Sequence, residues 1–318
     1  MGTLYIDRKD LDLRIEGHAI AFYSGKQREG VVPIAPLNKV VILGNIHLQT
    51  SFLHKLATNN ISVIFLSGRR MKFSGRLSGK IHKNGLLRLK QYEKAQSVFA
   101  RQFSCEIIQT KLKKQLAFFD DVLSRRKDLK LELSKAQEIL KSIVVKVAGA
   151  HSQDSLRGFE GSAASAYFKA YATLFASSLG FGGRARRPPP DPVNALLSLT
   201  YTLVHFEIVR EIEIIGLDPS IGFYHSFEYG RESLACDLVE IFRPDVDLLV
   251  YVLFRDRKLD LSDFSQSESG DGCYLKKASR KKYFFLYEDW AQQMRSAWRD
   301  CVRSLARRIA DGEVALFD

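Results

Sequence analysis

Leu11, Leu13 and Ile15 alternate with polar residues, Glu16-Gly17 carries a tight-turn signal, and Ile20 and Phe22 resume the alternation. A period of two puts one set of side chains on one face, so this stretch predicts a hairpin with one buried side. The runs VVPIAPLNKVVILG (31–44) and ISVIFLS (61–67) are apolar and rich in β-branched residues, which suits strands. Between them QTSFLHKLATNN (49–60) has the spacing of a short amphipathic helix. GRRMKFSGRLSGKIHK (68–83) is basic, interrupted by glycines and nearly free of acids, and reads either as an edge hairpin or as a surface that touches phosphate.

From Leu86 the period changes. Phe99, Phe103 and Ile107 recur every four residues, and Ile108, Leu112, Leu116 and Phe119 continue the pattern, so residues 86–123 predict one or two long helices. A charged break, SRRKDLKLELSK, leads to a helix through Ile139, Ile143 and Val147 that Gly149 ends. Next comes LRGFEGSAASAYFKAYATLFASSLGFGG (156–183), a helix whose first turns are almost all small, with Glu160 at its start. Small side chains let a neighbouring helix or a ligand approach the backbone, although a lone acid there also suits the helix dipole.

RARRPPPDPVN (184–194) reads as a stiff, exposed, basic connection. Asp191 as N-cap and Pro192 at the first position open a helix that runs to Ile215, where Gly216 stops it, and His205 inside it reads as buried or facing a partner. The helical pattern continues through VDLLVYVLFRD and again from Glu288 to Gly312, where Arg295, Arg299, Arg303 and Arg307 form a stripe that faces either solvent or DNA. The expected fold is α+β, with a small β-rich domain at 1–85 followed by a larger all-α domain at 86–318.

Composition narrows the partners. A chain of 318 residues with 46% hydrophobic content can bury two cores, and a net charge of +12 favours a polyanion, either nucleic acid or an acidic membrane surface. The four cysteines include no C-x-x-C pair, which argues against a zinc ribbon or disulfide framework and suits free thiols in a reducing cytosol. MGTLYIDRKDLDL is neither a secretory signal nor a myristoylation motif. The longest weakly charged stretch, between Asp191 and Glu207, falls short of the about 20 apolar residues a bilayer crossing needs. The expectation is a soluble, cytoplasmic protein without a membrane partner.

The candidate chemistry concentrates in GLDPSIGFYHSFEYGRESLACDLVEIFRP (216–244). Asp237 and Glu240 lie three apart, a spacing that places both on one helix face. His225 precedes them across a loop containing Gly230, so chain reversal can bring an imidazole over the acids. Imidazole with carboxylates suits Mg2+ or Mn2+, and at least one further ligand must come from elsewhere. Neither G-x-S-x-G nor a P-loop is present to suggest covalent or nucleotide chemistry.

Four blocks occur in order: GFEGSAASAYF (158–168), RARRPPPDPVNALLSLTYTL (184–203), GLDPSIGFYHS (216–226) and GRESLACDLVEIFRP (230–244). Together they resemble the signature of the CRISPR-associated protein one family, the integrases that acquire new spacers. The likeness is close over residues 150–250 and extends loosely to the β-rich start, to KLKKQ (111–115) and to DGCYLKKASRKKYF (271–284). It implies a divalent metal held by Glu160, His225 and Glu240, with Asp237 as a nearby acid that assists the site or binds a second metal. Tyr167 and Asn194 match polar family positions near the site, with substrate positioning or packing as their roles. The resemblance also implies pairing of two copies through the β-rich domain, a small second protein (CRISPR-associated protein two), and double-stranded DNA as substrate. Arg184, Arg186, Arg187 and Arg231 are candidate phosphate contacts. A metal-dependent nuclease on branched DNA and a non-catalytic DNA-binding scaffold stand as alternatives.

Overall fold

The computed structural model describes residues 2–67, 71–79, 82–185, 188–225, 227–267, 270 and 272–311. Arg69, Arg70, Lys80, Arg186 and Arg187, all basic candidates, lie outside the described residues. The chain divides into two compact units, Met1–Lys83 with Phe284–Gln293, and Asn84–Tyr283 with Met294–Asp318.

The first unit opens with β1 (Gly2–Ile6), β2 (Asp12–Glu16), β3 (Ala19–Ser24), β4 (Gln27–Pro33), β5 (Leu37–Ile42) and β6 (His47–Leu48). Helix α1 (Thr50–Thr58), β7 (Ser62–Ser67) and β8 (Lys72–Leu77) follow. β2 and β3 form the expected hairpin, in register from Asp12 opposite Tyr23 to Glu16 opposite Ala19, with Gly17 at φ 60° in the turn. One sheet has the order β4-β3-β2-β6, the other β1-β5-β7-β8, with β1, β5 and β7 parallel and β8 antiparallel at its edge. The basic run at 68–83 thus supplies an edge strand. Leu13, Ile20, Val40, Val63, Phe52 and Leu56 fill one core from both sheets and α1. Burial of each such side chain contributes about 1.5–3 kcal/mol. Within the same unit Tyr5 stacks on Phe284 and donates to Glu288 at 2.8 Å.

The second unit is helical: α2 (Gly85–Ala95), α3 (Val98–Arg125), α4 (Lys130–Ala148), α5 (Gln153–Ala172), α6 (Pro192–Ile215) and α7 (Ser233–Arg255). A short antiparallel ribbon, β9 (Phe264–Gln266) with β10 (Cys273–Leu275), precedes α8 (Lys277–Asp311), so the unit is not purely α. α3 packs on α4 and α7, α6 on α7, and α4 on α5. α6 is apolar on nearly every side, and such a helix belongs in a core. It does reach the length and apolarity of a bilayer crossing, contrary to the expectation that this stretch is too short, and 83% of its most apolar window is buried within the fold.

In the proline connection Pro188 and Pro190 are exposed, and Pro189 O accepts from Cys273 N at 2.7 Å, so the ribbon ties it down. One expectation about a helix surface needs correction. The arginine stripe of α8 is only partly solvated, because Arg295 pairs with Glu207 at 2.8 Å and Arg299 with Glu211 at 3.6 Å, while Arg303 and Arg307 are exposed. Acids on α6 take the first half of the stripe.

Candidate active site

Asp237 and Glu240 share the buried side of α7, yet they face different partners. Asp237 is fully buried and takes four N–H groups. Oδ2 accepts from the backbone of Phe223 at 2.6 Å and Tyr224 at 2.9 Å, and Oδ1 accepts from His225 N at 2.8 Å and His225 Nδ1 at 2.7 Å. Both oxygens are spent on donors, so Asp237 acts through His225 and has nothing left for a ligand. Because a carboxylate oxygen only accepts, His225 carries its proton on Nδ1, which leaves Nε2 as the nitrogen available to a ligand.

The loop before His225 is over-determined. A Cβ on Gly222 would stand 2.7 Å from Asp237 Oδ2 and 2.7 Å from the Ser233 backbone, so only glycine permits this approach to α7. α7 has no side-chain cap at Glu232, and the loop supplies one: Leu234 N donates to Pro219 O at 2.9 Å. On the other side Gln91 donates to Asp218 O and Ile221 O, and Gln153 and Ser104 both donate to Phe223 O. The Phe223 ring meets Phe99 and Phe103 edge-on. Glu232 pairs instead with His205 at 2.7 Å, which gives that histidine an internal partner.

Glu240 belongs to a charged centre. Its Oε2 accepts from Lys111 Nζ at 2.7 Å and its Oε1 from Arg243 Nε at 2.6 Å. Lys111 also donates to Glu160 Oε1 at 2.5 Å, so one ammonium bridges the two glutamates. Burial works against the charge on Glu240, but Arg243 and Lys111 outweigh it, with His225 assisting, and hold the carboxyl well below the usual range. Burial likewise opposes the charge on Lys111, and Glu240 and Glu160 overcome it and raise its pKa. Pro244, inside α7, lacks the N–H that would pair with the carbonyl of Glu240, so one helix hydrogen bond is missing there while the helix continues to Arg255.

Glu160 stands about two turns into α5, because Ser152 caps the helix well upstream, and the helix-dipole account of this acid fails. Gly158 and Gly161 beside it face open space rather than a neighbouring helix. Next to the centre lies a cavity of about 30 Å³ lined by Lys111, Gln115, Glu160, Tyr201, Arg243 and Asp247 among others. It has room for water but not for a nucleotide.

The donor set fits a hard divalent cation. Two carboxylates already converge on one positive charge, and Asp237, on the same helix as Glu240, holds the His225 imidazole by Nδ1. Among the described residues no three His, Cys, Asp or Glu side chains stand as a ready metal cluster, and the cation between the glutamates is Lys111.

Residues 4–289 match the family described as CRISPR associated protein Cas1. The chain belongs to the Cas1 family. It is 50% identical over 312 residues to the CRISPR-associated endonuclease Cas1 1 of Thermodesulfovibrio yellowstonii, covering 98% of each chain. It is 32% identical to the CRISPR-associated endonuclease Cas1 3 of Thermus thermophilus, over 84% of this chain and 79% of that one. The fold matches a Cas1 protein from Thermotoga maritima at TM-score 0.86 and 23% identity, covering 99% of this chain and 98% of that one. It also matches a casposase bound to integration product at TM-score 0.84 and 20% identity, covering 99% and 92%.

Within this Cas1 fold the remaining candidates differ in burial. Tyr167 is fully buried, stacked on Phe119 with ring centroids 5.0 Å apart, and its hydroxyl lies near Asp247. Asn194 is also fully buried: it donates to Gly183 O and Asp191, and accepts from Arg184 and Ala185 N. Both are packed against other parts of the protein. Arg184 is not a loose surface cation, since it also donates to Ser198 at 3.0 Å and lies over the Tyr201 ring, lining the cavity beside the glutamates. Arg231 is partly exposed and pairs with Glu228 at 2.8 Å.

Lys111, Arg243 and Asp247 are central residues that the sequence reading did not single out. A signal for Lys111 exists: it continues the four-residue spacing of Phe99, Phe103 and Ile107, where an apolar residue belongs.

Proposed function

We propose that the chain is a metal-dependent DNA integrase and endonuclease that inserts new spacer DNA into a CRISPR array. The observation that carries this reading is the convergence of Glu160 and Glu240 on one buried cationic seat, in a chain of the Cas1 family. Glu160, Glu240 and His225 Nε2 would hold Mg2+ or Mn2+. Bound there, the ion supplies charge stabilisation at a phosphodiester and alignment of the attacking and leaving oxygens.

The chain's own residues do the rest. Asp237 fixes the His225 tautomer through Nδ1 and spends no oxygen elsewhere. Arg243 anchors Glu240 by its Oε1 and lies 4.5 Å from the centre of the Tyr201 ring, so the acid keeps one orientation. Tyr224, buried and near both glutamates, keeps its phenolic proton. The nucleophile is the 3′-hydroxyl of the incoming DNA. Arg184, beside the centre, and Arg231, outside it, are suited to phosphate, which fixes the position of DNA without reading bases. The relatives' shared name, endonuclease, favours a second outcome at the same residues, hydrolysis with water as nucleophile.

The proposed partners are double-stranded DNA, a second copy of the chain paired through the β-rich unit, and a Cas2 protein. A likeness to the Cas1-containing chain of a Cas6-RT-Cas1–Cas2 complex supports the last, at TM-score 0.83 and 21% identity over all of this chain and 36% of that one. Transfer of a 3′-hydroxyl donor into a repeat-bearing plasmid, with Cas2 supplied, tests the reading. His225→Ala and Glu160→Ala should each lower it by about 10³-fold or more while DNA binding persists. Nicking by hydrolysis alone in the wild type overturns the integrase assignment, and wild-type turnover in either variant overturns the ligand set.

A further inference from the structure

We propose that Lys111 is a built-in counter-cation, whose ammonium holds Glu160 and Glu240 together while the site is free of metal and gives up that seat when a divalent ion binds. The proposal rests on the reading of those two glutamates as ligands. It goes further by assigning a competitor, carried on the chain itself, for the same two oxygens.

Three observations support it. First, Lys111 Nζ lies 2.5 Å from Glu160 Oε1 and 2.7 Å from Glu240 Oε2, so it uses one oxygen of each acid at charge-assisted hydrogen-bond distance. Arg243 takes the opposite oxygen of Glu240, so it supports that acid without competing for the seat. Second, the Lys111 side chain is only 6% exposed and sits in the apolar stripe of α3. A buried ammonium is costly unless paired, and the two acids are the charges it is paired with here. Third, there is somewhere for it to go. Gln115 lies one helical turn further along α3, it is 1% exposed, and its Oε1 has no hydrogen-bond partner. Gln115 lines the same cavity of about 30 Å³, as does Asp247. A lysine has a flexible four-carbon stem, so its head can move to that cavity while the backbone of α3 stays in place.

The exchange is a competition between cations. Without metal, Lys111 relieves the repulsion between the two carboxylates and keeps them preorganised. With metal, the ion must displace the ammonium, so the measured affinity is lower than the carboxylates alone would give.

Manganese binding to the full chain, followed by the electron paramagnetic resonance signal of free Mn2+, separates the outcomes. Lys111→Met keeps the length and removes the charge, and Lys111→Gln serves if the methionine variant fails to fold. The folded variant should bind Mn2+ about tenfold more tightly or better. Its melting temperature in EDTA should fall by roughly 5 °C or more, and Mn2+ should restore more of it than it adds to the wild type. Binding that is unchanged or weaker in a folded variant overturns the displacement, and the ligand reading survives that result if Glu160→Gln weakens Mn2+ binding in the Lys111 protein. Absence of Mn2+ binding in both wild type and variant overturns the ligand reading and the displacement with it. Binding in the variant alone supports the displacement in its strongest form.

Discussion

The two walls of the site are held by different forces. The wall that carries His225 is fixed by hydrogen bonds: four N–H groups on Asp237, and the side chains of Gln91, Gln153 and Ser104 on the loop. The wall that carries Glu160 and Glu240 is fixed by charge, through Lys111 and Arg243. Geometry of the first kind resists exchange, because every donor and acceptor would need a new partner. Charge balance of the second kind permits it, since one cation can replace another. The comparison teaches that two acids on one face of one helix do different jobs: Asp237 holds the frame by accepting N–H groups, and Glu240 pairs with cations.

Breaking the frame should have the largest effect on stability. Asp237→Asn places an amide NH2 against backbone donors, and it should cost about 3 kcal/mol or more of stability in chemical denaturation. Strand transfer should fall by roughly 10–100-fold beyond what the loss of folded protein explains. Retention of both would show that the loop does not depend on Asp237.

Gly222→Ala tests the same wall more gently. The added methyl must push the loop from α7, at a cost of about 1–3 kcal/mol, with activity falling as His225 shifts. A neutral result by thermal melting and strand transfer would mean that the close approach is relaxed in solution.

A third test uses pH. Burial, partly offset by Tyr201, Tyr167 and Arg243, lifts the Asp247 carboxyl from 3.8 to about 6. The folded chain therefore holds that proton to higher pH than the unfolded one, so this residue's contribution to stability is greatest below about pH 4 and is lost as pH rises through about 6. Asp247→Asn should remove the dependence, changing the wild-type minus variant difference by about 3 kcal/mol between pH 3 and pH 7. A difference that stays flat with pH contradicts the buried-acid assignment.

The smallest effect belongs to the surface. Arg231→Ala should alter stability by less than about 0.5 kcal/mol and reduce the salt slope of DNA binding by about 1 if Arg231 meets a phosphate. An unchanged slope would remove it from the interface.

Much of the fold was legible because it rests on local periodicity. The hairpin at Asp12–Ser24, the switch from strands to helices near Gly85, the cap at Asp191 and Pro192, and the stop at Gly216 each depend on neighbours in sequence. The candidate ligands divide differently. His225, Asp237 and Glu240 stand out in one segment, whereas Glu160 entered only through the family likeness, since a lone acid on a small-residue helix has no local signature.

The sequence by itself determined the order of strands and helices, the apolar faces and the set of acids with a histidine, because propensity, periodicity and capping act over a few residues. The tertiary structure alone decided that Asp237 holds the His225 loop while Glu240 pairs with Lys111 and Arg243, put Tyr167 and Asn194 inside the protein, and brought Lys111 from α3 between acids on α5 and α7. The physical reason is that pairing of buried charge depends on which atoms are left when the core has packed, and those atoms come from segments far apart in the chain.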